Sequence, residues 1–385
     1  MIDAVHVRGY RSARDVHLEL GPVTALIGQP GGGQSNLLAA IWKVLSPKAA
    51  PVRKADLSAG GTTTVIVEAT LHGGGKLRFE ATPKTGAVRR SGRSRQHALF
   101  LPASERGGIL AADGATDPAI ERALARNPSP ALALTDAIRS WLDEKRAGMV
   151  LMIEEPELFL RPHRQRSVYR LLRTLAAHGN QVVYSTHAAT FLNVARLEDL
   201  ALVSRDHSGA THIRRPQPLP QDDSFRALNE FDAERSELLL GQAAILVEGM
   251  TEKLVFPFLF RALGYDADDE GISIVECGGK PNIPIIAEVC NLTGLPYLVV
   301  HDRDAPAGRR PIASERFVNA AIARIAGRGR TVQLAPDFEA VARLHGHRHK
   351  PRRAVDWVAV TGTDVPAQLA DVVHRAVELA RADAQ

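Results

Sequence analysis

Two short acidic patterns supply the chemistry of this chain: Glu248-Gly-Met-Thr-Glu252 and, fifty residues on, Asp302-Arg-Asp304. Each follows an apolar run, residues 243–247 and 296–300, with the length of a buried parallel strand. Glu252 falls one helical turn beyond Glu248, in a helix-like segment. Asp302 and Asp304 are two apart, so on an extended chain their side chains point the same way. In an open α/β sheet, ligands bind beyond the carboxyl ends of the strands. Four carboxylates gathered there repel one another unless cations lie between them. Mg²⁺ takes oxygen ligands and is usually held by one or two carboxylates together with phosphate oxygens. The pattern therefore points to a Mg²⁺ or Mn²⁺ site for phosphoryl chemistry. The plain alternative is that these acids are solvated strand ends.

The elements that must position these acids are those of an α/β protein. The chain has 385 residues, enough for two domains with separate cores. Its formal charge of +5 and pI near 9.3 are compatible with a nucleic-acid partner but do not establish one. Two cysteines, Cys277 and Cys290, with no C-x-x-C pair, indicate neither a zinc site nor a disulfide framework. No apolar run approaches the ~20 residues that span a bilayer, and the start reads as a strand rather than a signal peptide. A reducing cytoplasm is the expected compartment.

The first half carries a second set of chemistry-bearing residues. An apolar run at 23–27 enters Gly28-Gln-Pro-Gly31-Gly-Gly33-Gln34-Ser35-Asn36, which opens a helix expected over 35–44. This is the phosphate-loop pattern G-x-x-x-x-G-K-S with Gln34 in place of the lysine. Glycines let backbone N–H groups curl around a phosphate, and the helix N-terminus adds partial positive charge. Gln34 keeps a donor but loses the charge, and charge-assisted hydrogen bonds are roughly twice as strong as neutral ones. ATP is thus expected to bind weakly and to be hydrolysed slowly or not at all, because phosphoryl transfer depends chiefly on electrostatics. Ser35 remains as a Mg²⁺ ligand for such a nucleotide.

Strands are expected at 64–71 and 77–81, joined as a hairpin, and the basic run 84–97 reads as a solvated loop rather than a DNA contact. Helices are expected at 120–125, 131–145 and 162–177, and strands at 99–101, 149–153, 181–184, 200–204 and 211–213. The strand at 149–153 ends in Glu154-Glu155-Pro-Glu157, and that at 181–184 ends in Ser185-Thr186-His187. A Pro-rich polar stretch at 215–224 reads as a linker between domains at 1–214 and 225–385. A helix is expected at 224–239, a strand at 272–275 before Glu276-Cys-Gly-Gly-Lys280, and a closing helix at 364–381 capped by Asp364.

The second half, strand–E-G-x-x-E and then strand–D-x-D, resembles a Toprim domain. Its flanks, Phe231-Asp-Ala-Glu-Arg-Ser-Glu-Leu238 and Pro336-Asp-Phe-Glu339, resemble those of the OLD-family nucleases. The first half, with its phosphate loop, resembles the ABC-type heads of RecF, SMC and OLD proteins. The resemblance implies a shortened ABC-type P-loop head followed by a parallel-sheet, Rossmann-like Toprim domain. It implies that Glu154 holds Mg²⁺, that Glu155 positions the attacking water and that His187 senses the γ-phosphate. It adds Glu339 to the metal ligands Glu248, Glu252, Asp302 and Asp304, and places a catalytic lysine at Lys350; Lys280, at the same sheet edge as the acids, is the other candidate for that role. Lys350 lies in the basic stretch 344–353, which reads equally well as a surface loop touching DNA backbone or nothing.

Two departures from the resemblance erode the head: Gln34, and the absence of the Ser-Gly-rich signature that contacts nucleotide across an ABC dimer. The expected function is a metal-dependent DNA endonuclease, homodimeric, with weak or absent ATP hydrolysis. The competing expectation is a non-catalytic nucleotide- and DNA-binding subunit working with a partner protein in a bacterial defence or repair complex. An ATPase motor is disfavoured by Gln34 and the missing signature. A topoisomerase is disfavoured because none of the tyrosines, at 10, 169, 184, 265 and 297, sits on an added module.

Overall fold

The computed structural model describes every residue except 95, 104–109, 112–116, 128–129, 159, 193, 221–232, 306–308, 343–349, 362–363 and 385. The chain divides into two compact units, residues 1–192 with 198–216, and residues 193–197 with 217–385. Each is described by itself.

The first unit begins with β1 (Ile2–Tyr10) and β2 (Ala13–Glu19), then β3 (Val23–Ile27) and helix α1 (Gln34–Leu45). Strands β4 (Val65–Leu71), β5 (Lys76–Thr82) and β6 (Ala87–Ser91) complete an antiparallel sheet in the order β2-β1-β4-β5-β6. A second sheet gathers β7 (His97–Leu101), β8 (Leu110–Ala111), β9 (Met149–Glu154), β10 (Gln181–Ser185), β11 (Leu200–Arg205) and β12 (Thr211–Arg214) around β3. Its order is β12-β11-β3-β10-β9-β7-β8, parallel through the centre and antiparallel at both edges. Helices α2 (Pro118–Arg126), α3 (Pro130–Asp143) and α4 (Pro162–Ala177) connect these strands.

Helix α1 explains why the sheets belong together. It is apolar almost all round, with Leu37, Leu38, Ile41, Trp42 and Val44 buried. One core joins these residues to Val5, Val67 and Phe79 of the first sheet and to Leu26, Val150, Met152 and Val183 of the second. A helix buried on every side must lie between two layers. The uninterrupted burial of β3, β9 (to Ile153) and β10 fits central parallel strands covered on both faces.

The second unit is a four-stranded parallel sheet of β13 (Ala243–Val247), β14 (Ile272–Glu276), β15 (Tyr297–Asp302) and β16 (Thr331–Leu334), ordered β14-β13-β15-β16. Helices α5 (Met250–Ala262), α6 (Ile283–Thr293), α7 (Ala313–Ala326), α8 (Lys350–Thr361) and α9 (Ala367–Ala384) surround it. Ala243, Ile245 and Val247 share a core with Phe256, Leu259 and Phe260 of α5 and with Val372, Val373 and Ala376 of α9. After β13 the chain moves to one side to form β14, then crosses back to place β15 on the other side. The carboxyl ends of β13 and β15 therefore flank a topological switch point, the position at which such sheets bind ligands.

Several local expectations are corrected. Residues 87–91 of the basic run form β6 rather than a loop; all five are exposed, so no alternation marks them, and pairing with β5 supplies the order. Arg90 lies over the Phe79 ring at 4.6 Å and donates to Lys43 O at 2.6 Å, which fixes the strand. The closing helix starts at Ala367, so Asp364 is not its cap. Of the helix expected at 224–239, the described part is two short turns, Ala233–Ser236 and Glu237–Leu240, and the rest lies outside the described residues. In the stretch 344–353, residues 344–349 lie outside the described residues and Lys350 opens α8.

Candidate metal centre and phosphate loop

Parallel register sets the geometry of the acids in the second unit. Val247 pairs with Val300, so the residue after β13 stands level with the last residues of β15. Glu248 Oε2 accepts the backbone N–H of Asp302 at 3.3 Å. Asp302 Oδ1 accepts the backbone N–H of Phe338 at 2.8 Å, in a short turn that also carries Glu339. Glu252, in the first turn of α5, is only 6 % exposed.

The electrostatics record how closely these acids are placed. Burial, then the charges of Glu252 and Glu248, push Asp302 up to about 8, with Glu339 adding to the rise. Burial, then Glu248 and Glu339, push Glu252 up to about 7. Glu248 is also raised, by burial first, while Lys280 and the Asp302 amide hold it down. Buried carboxylates close to one another raise each other in this way, because each disfavours the charged form of the next.

Asp304 sits differently. The strand ends at Asp302, and Asp304 adopts a left-handed φ of 58° with its N–H bonded to Pro336 O at 2.9 Å. The extended-chain argument for a shared direction therefore stops at Asp302. Asp304 pairs with Lys280, which also reaches Glu315 Oε2 at 3.0 Å and Glu248 Oε2 at 4.0 Å. Glu315, in the first turn of α7, was not legible as a site residue, since nothing in the sequence ties it to the strand ends. His301 was also missed; it is buried behind the acids, its Nδ1 against Asp302 O, and burial lowers it to about 4. The side chain of Lys350 lies outside the described residues.

The donor set suits a hard divalent ion, because it is made chiefly of carboxylate oxygens. Among the described residues, however, no three such side chains are grouped closely enough to hold an ion as they stand. Glu252 and Asp302 are each raised by the charges of Glu248 and Glu339, which marks these four acids as neighbours. Asp304 is instead paired with Lys280.

In the first unit the phosphate loop is closed on itself. Gln34, 4 % exposed, donates Nε2 to Gln29 O at 3.2 Å, and its Oε1 accepts the Gly33 N–H at 3.1 Å. That amide is one a bound phosphate would use. Gly28 and Gly33 have φ of 150° and 118°; a Cβ at Gly28 would fall 2.0 Å from Val203 O, and one at Gly33 2.3 Å from Thr211 Oγ1. Gly31 faces open space. Asn36 is turned away from the loop, donating to Ser12 Oγ at 2.7 Å and accepting from Arg11 at 3.2 Å.

Parallel strands bring the other residues singled out in the first unit near one another. Ser35 hydrogen-bonds Glu154, which also accepts the Ala103 N–H at 2.8 Å and is raised chiefly by burial. Glu155 has a left-handed φ of 47° and lies 4.0 Å from His187 Nε2. Glu157, not singled out from the sequence as a site residue, accepts both the Thr186 hydroxyl at 2.8 Å and the His187 N–H at 2.9 Å. It ties the end of β9 to the end of β10.

Comparison with known proteins bears on the second unit most directly. Residues 239–304 match the model of the overcoming lysogenization defect protein-like TOPRIM domain. An OLD nuclease of Thermus scotoductus is 38 % identical over 161 residues, covering 40 % of this chain and 30 % of that protein. The Old nuclease of Escherichia phage P2 is 29 % identical over 168 residues, covering 42 % and 29 %. The matched stretch thus spans under a third of these relatives. Among solved structures, the SMC head domain from Thermotoga maritima aligns with a TM-score of 0.38 at 15 % identity, over 56 % of this chain and 99 % of that one. The acids that follow β13 and β15 thus lie within the stretch that matches the OLD-like TOPRIM model, and the chain is similar to the two OLD nucleases over part of their length.

Proposed function

We propose that this chain is a divalent-metal-dependent DNA nuclease whose cutting centre is the acid cluster at the β13–β15 switch point. The observation that carries the reading is the convergence of Glu248, Glu252 and Asp302, three carboxylates from two strand ends and one helix start, in a buried setting that raises all three. Such an arrangement is costly without a cation, and structural caps do not need three acids. The two OLD nucleases to which the chain is similar support the same reading.

Within it, Glu248, Asp302, Glu252 and Glu339 are the binding groups for Mg²⁺ or Mn²⁺. A divalent ion held there supplies Lewis acidity and a water of lowered pKa. The Asp302 amide keeps the Glu248 carboxylate turned toward β15, and the Phe338 amide does the same for Asp302. Lys280, at the same sheet edge and paired with Asp304 and Glu315, is the cation of this reading that would offset the charge of a bound phosphate. Plasmid incubated with Mg²⁺ or Mn²⁺, with and without ATP, tests the proposal; intact DNA under all conditions rejects it.

The head is read as a nucleotide-responsive part that binds ATP weakly and hydrolyses it slowly or not at all. Ser35, Glu154, Glu155 and His187 remain assembled, while Gln34 replaces a mobile charge with a neutral clasp. That clasp also favours a second reading, a DNA-binding subunit that does not cut and serves a partner protein. The plasmid assay separates the two.

A further inference from the structure

Lys280 is 4 % exposed and lies among three carboxylates from three elements. Glu248 follows β13, Asp304 follows β15, and Glu315 belongs to α7. The lysine arrives by a two-glycine strap, Gly278 and Gly279, both at positive φ. Gly279 N–H bonds Glu248 O at 3.0 Å, so the strap is fastened to the residue it serves. Burial pulls the ammonium down, but hydrogen bonds to Asp304 and Glu315 and the charge of Glu248 outweigh it, and the net shift is upward. Lys280 is therefore a resident cation. It neutralises the side of the cluster bearing Asp304, and among the described residues no cation is paired with Asp302 or Glu252.

We propose that Lys280 holds Asp304 until a divalent ion takes it, and that Glu315 is the positioning residue that keeps the displaced ammonium beside the site. The inference rests on the reading of the acid cluster as a metal centre. Two cations cannot share one carboxylate edge closely without repulsion, so an ion reaching Asp304 must displace the ammonium. Glu315 Oε2 already lies within hydrogen-bond reach of the same nitrogen, so the exchange needs no backbone movement. Anchored there, the ammonium would stay beside the cluster, facing the phosphate of a bound strand.

The two residues act on metal affinity in opposite directions. Removing Lys280 frees Asp304 and removes a competing charge, so the metal binds more tightly. Neutralising Glu315 leaves the ammonium to Asp304 and Glu248 of the cluster itself, so the metal binds more weakly. A merely structural network would lose affinity in both.

Mn²⁺ binding to the full-length protein without DNA, followed by the loss of free-ion electron paramagnetic resonance signal, reads this directly. Lys280→Met should bind Mn²⁺ roughly 10-fold more tightly, the scale of one pKa unit of interaction. Lys280→Arg should stay at or below the wild-type affinity. Glu315→Gln should weaken binding by roughly the same factor, and Glu315→Asp should restore most of it. Circular dichroism checks the fold of each variant. Unchanged or weaker binding by folded Lys280→Met, or unchanged binding by Glu315→Gln, overturns this inference alone. Absence of Mn²⁺ binding by every protein overturns the metal centre and this inference with it.

Discussion

The backbone N–H of Asp302 donates to the carboxylate of Glu248 across the gap between β15 and β13, at 3.3 Å. This bond joins the two acidic patterns, fifty residues apart in the chain, into one constellation. Either residue alone ends a strand; together they set two carboxylates side by side at one sheet edge.

Glu248→Ala and Asp302→Ala should each lower DNA cleavage by about 100-fold or more, the scale on which a preorganised charge is lost from a reacting centre. Folding should survive, because both side chains lie at strand ends rather than in the apolar core. Nicking and linearisation of plasmid, alongside circular dichroism, check this. Persistent cutting by the folded double variant would remove the assignment.

Stability without metal should depend on pH with a definite sign. Asp302 is raised from its ordinary 3.8 to about 8, and Glu252 from 4.5 to about 7. Between pH 4 and 8 the folded protein then holds more protons at these groups than the unfolded chain does. Stability contributed by them is greatest below pH 4 and falls as pH rises toward 8. The Tm of metal-free protein should drop from pH 5 to pH 8 more steeply for wild type than for Asp302→Asn, and saturating Mg²⁺ should flatten the wild-type slope. Equal slopes for the two proteins would contradict the burial of an ionisable Asp302.

Gln34→Lys should raise affinity for a fluorescent ATP analogue by about 10-fold, since a charged donor replaces a neutral one that now occupies its own loop. Wild-type turnover as fast as that of ordinary ABC-type ATPases, abolished by Ser35→Ala, would show that the clasp opens readily and that the head is not degenerate.

Gly28→Ala should destabilise the first unit by about 1–3 kcal/mol or more, from backbone strain alone, before overlap is counted. The new Cβ would meet Val203 O at 2.0 Å. Gly31→Ala, at a positive φ but in open space, should cost less. Chemical denaturation of the two variants compares them, and equal midpoints would mean that β11 does not press on the loop as described.

Much of this was legible in the residues themselves. Apolar runs such as 243–247, ended by acids or glycines, mark buried parallel strands because both faces of such strands are covered, so burial leaves a continuous signal. The phosphate loop and its missing lysine could be read residue by residue, because local backbone chemistry requires glycine where φ is positive. Strand β6 could not, since its exposed residues carry no periodic pattern and its order comes from the neighbour it pairs with. Glu315, Glu157 and His301 were silent for a related reason: a single polar residue acquires a role only from what folding sets against it.

The sequence by itself thus determined the chemical inventory: carboxylates after two apolar strands, a glycine loop lacking its cation, and a lysine behind two glycines. Tertiary structure alone decided how that inventory is divided. Parallel pairing brought Glu248 to Asp302, the left-handed turn at Asp304 sent it to Lys280 and Glu315, and Gln34 folded back onto Gln29 and Gly33. Partnerships of this kind depend on through-space electrostatics and backbone geometry between segments remote in the chain, which spacing along one strand does not encode.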